Sequence, residues 1–290
     1  MRVEFSVNKL ILLLLPLAYM HGQAPGAMGL SRAITAKLVG GRSPVDASSS
    51  SATVANQSRV LPRILSDGNW ETTVVLLNTG STSVTFQQFF FAADGKPASY
   101  TIHAQADSED VVASAIQGTL APGSSLRLVL SDTGGSIRGG WSLLTYDERA
   151  GAMNGYAIIR RRGLGAASSA ETTLTSSNMG DYSVYMPFDN TLGFRSQVTL
   201  VNPAANLTSQ VRLTYLNLQG QALLIDSLTL PPQQQVTLVL PDTYPDLANK
   251  VGSVLVESDI DHFSVTGLRC NDAYGEIASL PIMNRSALSQ

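Results

Sequence analysis

The chain has 290 residues, which is enough for one large domain or two ordinary ones. Only 14% of the residues are charged, and the formal net charge of −3 is too small to indicate a polyanionic or polycationic partner such as nucleic acid. The single cysteine, Cys270, excludes an intramolecular disulfide. Because a free cysteine usually behaves as a small hydrophobe, we expect Cys270 to be buried.

Residues 1–24 have the features of an export signal. Arg2 and Lys9 supply positive charge, a ten-residue apolar run follows at 10–19, and a small residue stands at Ala24. The run is too short to cross the ~30 Å hydrocarbon core of a bilayer as a helix, but it suits the apolar region of a signal peptide. We therefore predict a signal peptide at 1–24 and a mature protein that is secreted, periplasmic or at the cell surface, with no membrane span.

Residues 25–57 are rich in Ser, Ala and Gly and have no apolar period, which is typical of a flexible leader. Beyond them, runs with period-two alternation stand between Gly, Asp and Pro clusters, which predicts strands. The first group of strands lies near 59–65, 71–78, 83–92, 125–130, 140–147 and 153–161. The second group lies near 182–187, 196–202, 209–217, 222–230, 235–240, 251–258, 262–270 and 275–281. No segment of useful length has the helical period.

The two groups of strands are copies of one folding unit. The sequence LAPGSSLRLVL from Leu120 matches LPPQQQVTLVL from Leu230, and WETTVVLLN ending at Asn78 matches FRSQVTLVN ending at Asn202. Further positions match with equal spacing: Gly140, Asp147 and Gly155 in the first copy, and Gly252, Asp259 and Gly267 in the second. Alternating apolar stripes in each copy can bury against each other between two sheets. We therefore predict an all-β fold of two tandem immunoglobulin-like β-sandwich domains.

The repeat also sets the predicted boundaries. They are a first sandwich at 58–163, a linker at 164–181, a second sandwich at 182–282 and a C-terminal tail at 283–290. The copies differ mainly by an insertion, because 24 residues at 96–119 correspond to nine at 221–229.

Short motifs occur along the two units: an Asp-Gly-x-Trp opening and a final Gly-Tyr-Ala-Ile-Ile-Arg strand in the first, and a strand ending in Asn and a proline turn in both. The residues are Asp67, Gly68, Trp70, Asn78, Pro122, Trp141, Gly155 and Arg160, and then Asp189, Phe194, Asn202, Pro203, Pro231, Pro232, Gly252, Asp259 and Gly267. This set resembles a family of repeated immunoglobulin-like β-sandwich modules in secreted, mostly uncharacterised bacterial proteins. It departs from that family at Phe194 and Ser253, where tryptophan is usual. The resemblance implies an exported, multi-module, non-enzymatic protein at or near the cell surface.

No set of catalytic or cofactor-binding residues assembles in the sequence, so we predict no enzyme activity and no cofactor. His262 stands beside Asp261, but this spacing favours a tight turn over an acid–base site. The carboxylates Asp107, Glu109 and Asp110 of the insertion are weak candidates for calcium. Since they lack the spacing of a calcium loop, a solvated acidic loop is the favoured interpretation.

A short basic cluster, Arg160, Arg161 and Arg162, ends the first unit. Without interleaved aromatic residues it is poor evidence for nucleic acid binding. We expect these arginines to solvate the strand end or to pair with acidic residues of the neighbouring unit.

Trp141 is the one candidate ligand-binding residue, because a small residue, Ser253, replaces it in the other copy. The main prediction is an exported, non-catalytic protein with a structural, adhesive or protein-interaction role at the cell envelope or outside the cell. Its partners would be envelope or extracellular proteins or glycans. One alternative is a carbohydrate-binding module whose site combines Trp141 with the insertion loop, 99–118. A second alternative is an unrecognised hydrolase.

Overall fold

The structure is a computed structural model that describes residues 37–38, 56–66, 69–104, 109–131, 138–147, 152–162, 170–178 and 182–285. Almost all of these residues lie in β-strands or in the turns between them, which confirms the predicted all-β class. The predicted signal peptide, 1–24, lies outside the described residues, as does most of the predicted leader, 25–57. Within the described ranges, no helix has the length and apolar character needed to cross a bilayer.

The first half of the folded chain forms two six-stranded antiparallel sheets. Its strands are β1 (Lys37–Leu38), β2 (Asn56–Ser66), β3 (Trp70–Asn78), β4 (Val84–Ala92), β5 (Tyr100–His103), β6 (Val111–Ala113), β7 (Ala115–Leu120), β8 (Ser125–Ser131), β9 (Arg138–Asp147), β10 (Met153–Arg161), β11 (Ala170–Thr175) and β12 (Ser177–Asn178). One sheet has the order β1-β7-β4-β9-β2-β12, and the other has the order β11-β10-β3-β8-β5-β6.

The second half forms a five-stranded and a four-stranded antiparallel sheet. Its elements are β13 (Ser183–Asp189), β14 (Arg195–Val201), β15 (Ser209–Leu216), β16 (Ala222–Leu230), β17 (Gln235–Val239), a short helix α1 (Leu240–Thr243), a 3-10 turn (Pro245–Leu247), β18 (Val251–Ser258), β19 (Ser264–Asn271), β20 (Glu276–Leu280) and β21 (Met283–Asn284). The sheet orders are β16-β15-β18-β13-β21 and β17-β14-β19-β20.

In each half, one hydrophobic core lies between the two sheets. In the first half, Leu76 of β3 and Leu128 of β8 share a buried cluster with Phe86 of β4, which belongs to the opposite sheet. In the second half, Leu200 of β14 shares a cluster with Tyr215 of β15. These side chains occupy alternate strand positions, and burying each large apolar side chain contributes roughly 1.5–3 kcal/mol. The alternation in the sequence therefore identified the buried faces.

The halves repeat strand for strand. The series β7-β4-β9-β2-β12 corresponds to β16-β15-β18-β13-β21, and β11-β10-β3-β8 corresponds to β20-β19-β14-β17. Side-chain contacts repeat too: Thr72 Oγ1 donates to the carbonyl oxygen of Leu65 (2.7 Å), and Ser196 Oγ donates to that of Asp189 (3.1 Å). The first half differs by the strand β1 beside β7, and by β5 and β6 from the insertion.

One of the matched glycines is displaced. Gly155 pairs with Leu76 across β10 and β3. Leu200, the counterpart of Leu76, pairs with Val265, whereas Gly267 lies two residues further along β19. The equal spacing of the glycines in the sequence is thus not an equal position in the sheet, because the register in which β19 pairs with β14 differs by two residues from that of β10 with β3.

Three spans predicted as connections contain strands. The predicted linker, 164–181, holds β11 and β12, which add to the edges of the first half's sheets. The predicted tail, 283–290, begins with β21, which pairs with β13. The insertion supplies β5, β6 and β7. Threonine and β-branched residues in these spans suit edge strands, although the strands are too short to give a clear alternation.

Candidate functional site

Trp141, the predicted ligand-binding residue, is fully buried, with 0% of its surface exposed. Its ring stacks on Phe91 with centroids 4.3 Å apart, and its Nε1 group donates to the carbonyl oxygen of Gln233 in the second half (3.1 Å). Val201 of β14 belongs to the same buried cluster. The prediction that Trp141 binds a ligand is therefore wrong, because the second half covers the ring that a sugar would need to reach.

Two of the three calcium candidates, Glu109 and Asp110, lie among the described residues. Asp107 lies outside the described residues, and Glu109 is exposed. Asp110 pairs with His103, with 2.8 Å between Oδ1 and Nδ1. In the part of the chain that the structure describes, no group of three or more His, Cys, Asp or Glu side chains could hold a metal ion.

The remaining reactive side chains have local partners. His262 is exposed and its Nδ1 hydrogen-bonds its sequence neighbour Asp261, as expected for a turn. Cys270 is buried, which confirms the expectation from sequence. Burial raises the pKa of the Cys270 thiol, so it is a poor nucleophile at neutral pH.

The basic cluster at the end of β10 is paired with carboxylates. The pairs are Arg160 with Glu171 (2.7 Å), Arg161 with Asp272 (2.6 Å) and Arg162 with Glu71 (2.6 Å). The Arg161 pair joins the two halves of the chain, in agreement with the expectation that the cluster would bind acidic residues of the neighbouring unit.

The two halves meet in a junction that also contains buried polar contacts. Gln235 of β17 donates from its side-chain Nε2 to the carbonyl oxygens of Pro62 (2.6 Å) and Gly140 (2.8 Å) in the first half. The turn at Gly95 approaches so closely that a Cβ there would lie 2.9 Å from the carbonyl oxygen of Gln233, and its φ is +83°. Only glycine fits this position. The junction therefore fixes one half against the other through backbone and side chain.

A pocket of about 590 Å³ opens beside this junction. Arg63 and Leu65 of β2, Pro97 of the insertion and Thr237 of β17 are among its lining residues. Arg63 also has no counterpart in the repeat. Sequence reasoning missed this site, although the extra residue in β2 relative to β13 was a signal that could have revealed it.

The edge strand β16 is the second candidate site. It pairs only with β15, so one side of its backbone has no partner strand among the described residues. Leu223 and Ile225 point outward and are 38% and 51% exposed. The charged residue of the strand, Asp226, accepts a hydrogen bond from the Tyr244 hydroxyl (2.5 Å). The strand contains no Lys, Arg or Pro, the residues that usually protect an open edge from further pairing.

Comparisons with protein-family models, with curated proteins and with solved structures found no match to this chain. A site can therefore be inferred only from the contacts, burial and charge of the described residues.

Proposed function

We propose that the chain is an exported, non-enzymatic protein of two immunoglobulin-like β-sandwich domains, with a protein-interaction role at the cell envelope or outside the cell. The layout of two antiparallel sheets around one core in each half supports the immunoglobulin-like assignment. The charged, apolar and small segments of residues 1–24 support export. The open edge of β16 is the observation that carries the interaction role.

An open edge strand offers a row of backbone N–H and C=O groups to an added strand. The nine residues of β16 are long enough for such pairing, and its outward Leu223 and Ile225 give apolar contacts to alternate side chains of the partner. The partner is therefore an extended polypeptide segment with apolar residues at alternate positions.

The first half supplies a precedent within the same molecule. β7 is the counterpart of β16, and β1 from the leader covers it, with Lys37 opposite Gln117 and Leu38 opposite Ile116. This edge of the sandwich thus accepts an added antiparallel strand. In the second half the described residues leave the equivalent edge open.

Photo-cross-linking in the native host tests the proposal. A photoreactive amino acid at position 225 should give a covalent adduct with another protein, whereas the same group at position 218 should not. Leu218 is the matched control because it is 74% exposed but lies in the turn before β16. Adding Leu223→Lys should abolish the adduct at 225. Equal adducts at both positions, or none at 225, would contradict the proposal.

The alternatives have less support. The carbohydrate-binding alternative loses its aromatic platform with the burial of Trp141. For a hydrolase, His262 would need a nucleophile, and no serine or cysteine side chain of the described residues hydrogen-bonds it. Turnover in a hydrolase panel that is lost in His262→Ala would favour the hydrolase instead.

A further inference from the structure

Arg63 is an inserted residue in an otherwise repeated strand. In β2, Leu61 pairs with Ser142 and Ile64 pairs with Gly140, with a shift of register between them. At the equivalent place in the second half, Met186 pairs with Val254 and Phe188 with Gly252, so a single residue, Pro187, lies between them. The first half therefore has one extra residue there, which forms a β-bulge. Bulges turn a side chain away from its regular direction and are frequent beside binding sites.

The bulge directs the guanidinium of Arg63 across the junction onto neutral acceptors. Nη1 donates to the hydroxyls of Thr199 (3.0 Å) and Thr237, and Nη2 donates to Gln197 Oε1 (3.4 Å). Nε is enclosed and has no hydrogen-bond partner among the described residues. Of the five N–H donors of a guanidinium, two thus remain unused.

The positive charge of Arg63 has no counter-ion among the described residues. No carboxylate of the described residues forms an ion pair with it, in contrast to Arg161 and Arg269, which pair with Asp272 and Asp189. Burial lowers the pKa of Arg63 to about 10, so the group stays charged at neutral pH. A partly buried cation without a counter-ion loses favourable hydration, and a bound anion would offset that loss.

The pocket beside Arg63 has the size and lining of a small-molecule site. Its volume of about 590 Å³ lies in the range typical of ligand pockets. Leu65, Ala92 and Pro97 give it an apolar wall. Asp94 also lines it, but Lys96 neutralises this carboxylate at 2.7 Å. A monoanion with an apolar part suits this lining.

We infer that the pocket between the two halves binds the carboxylate of a small organic acid or of a peptide C-terminus. The carboxylate binds the unused Nη2 donor of Arg63, and the apolar part of the ligand packs on Leu65, Ala92 and Pro97. This site is separate from the open edge of β16, and it does not depend on the interaction role proposed for that edge.

Calorimetric titration of the full mature chain tests the inference with two probes. Sodium hexanoate should give saturable binding, while 1-hexanol and sodium chloride at the same concentration should not. A short apolar peptide with a free C-terminal carboxylate forms the second arm, with its C-terminal amide as control. Tighter binding of the free acid than of the peptide would assign the site to small acids, and the reverse would assign it to chain ends.

Two variants locate the site. Arg63→Gln should weaken binding about tenfold or more, because it removes a charge-assisted hydrogen bond. Gly139→Val keeps Arg63 but narrows the pocket, because it adds a side chain to the pocket lining. The valine can be accommodated, since a Cβ at position 139 would meet only Gln235 Oε1, at 3.9 Å. Its counterpart in β18 is Val251, so valine suits the strand. Gly139→Val should also abolish binding while the circular dichroism spectrum and melting temperature are retained. Absence of hexanoate and peptide binding to the unaltered chain, or binding that persists in folded Gly139→Val, would overturn the inference.

Discussion

Asn78 and Asn202 make the same hydrogen bonds at equivalent positions in the two halves. Nδ2 donates to the carbonyl oxygen of Leu120 (2.9 Å) in the first half and to that of Leu230 (3.0 Å) in the second. It also donates to a carbonyl of the loop that follows the strand, at 2.7 Å in both cases. Oδ1 accepts from the backbone N–H two residues further on (2.9 and 3.1 Å). Each asparagine thus ties a strand end to its own loop and to a distant strand.

Replacing Asn202 with alanine should destabilise the protein by about 2–4 kcal/mol, because several buried backbone groups lose their partners. Urea unfolding followed by circular dichroism measures this change. Asn217→Ala is the control, since Asn217 also hydrogen-bonds its turn, but these hydrogen bonds are exposed. It should cost less than about 1 kcal/mol. Equal losses of unfolding free energy in the two variants would show that burial of the hydrogen bonds is not the cause of the destabilisation.

Gln235→Ala should loosen the junction between the halves. The carbonyl oxygens of Pro62 and Gly140 would lose their donor, at a cost of about 1–3 kcal/mol. Because Trp141 lies in the same junction, its fluorescence reports the opening during denaturation. The neighbouring Gln234→Ala should leave the midpoint unchanged, since only the backbone of Gln234 is hydrogen-bonded in the described structure. An unchanged midpoint in Gln235→Ala would contradict this assignment.

Hydrogen exchange should distinguish the two equivalent edges. The backbone amides of β7 lie between β1 and β4, whereas β16 has a partner on one side only among the described strands. We expect β16 to contain amides that exchange quickly, and their counterparts in β7 to be protected. Deleting residues 25–40 should remove the protection in β7 and leave β4 unchanged. Mass spectrometry of peptic fragments measures the exchange of both strands and the effect of the deletion. If the protection of β7 did not change after the deletion, the role of β1 would be disproved.

Asp189 should add stability at neutral pH that is lost in acid. Burial raises the pKa of its carboxyl, but hydrogen bonds from Thr191 and the charge of Arg269 outweigh this effect and leave the pKa below its ordinary value. A lowered pKa in the folded state means that the stability is present above about pH 4 and is lost as the pH falls further. The stability difference between the unaltered protein and Asp189→Asn should therefore shrink between about pH 5 and pH 3.

The control for this prediction is Asp246→Asn. Asp246 is exposed and makes no ion pair with any described residue. Its substitution should change stability by less than about 0.5 kcal/mol, as is usual for a surface position. A difference for Asp189→Asn that stays constant across this range would mean that its carboxylate charge contributes nothing.

The repeat and the buried faces could be predicted because both follow from local alternation of side chains. The stripe through Leu76 and Leu128 is buried as its period requires. β5 and β6 could not be predicted, because four and three residues are too few for a period to emerge. Equal spacing also misled the alignment of Gly155 with Gly267, since the pairing register of the two strands differs by two residues, which the spacing along the chain does not show.

The candidate sites depended on contacts between the halves, which no local pattern in the sequence encodes. Trp141 was the candidate ligand-binding residue because Ser253 replaces it in the other copy. The structure gives another reason for the difference: Trp141 meets Gln233 and Val201 of the second half. Arg63 was overlooked because its role depends on hydrogen-bond acceptors that lie more than 130 positions away in the sequence, such as Gln197.

Because Trp141 is buried against the second half, a fragment of this chain should remain monomeric in solution only if it contains both halves. A fragment ending near residue 163 would expose Phe91, Leu143 and the indole of Trp141 to solvent as one apolar surface. Such a fragment should self-associate even if its own sheets form. The two copies are therefore not interchangeable, because each half covers apolar residues of the other and keeps them from solvent.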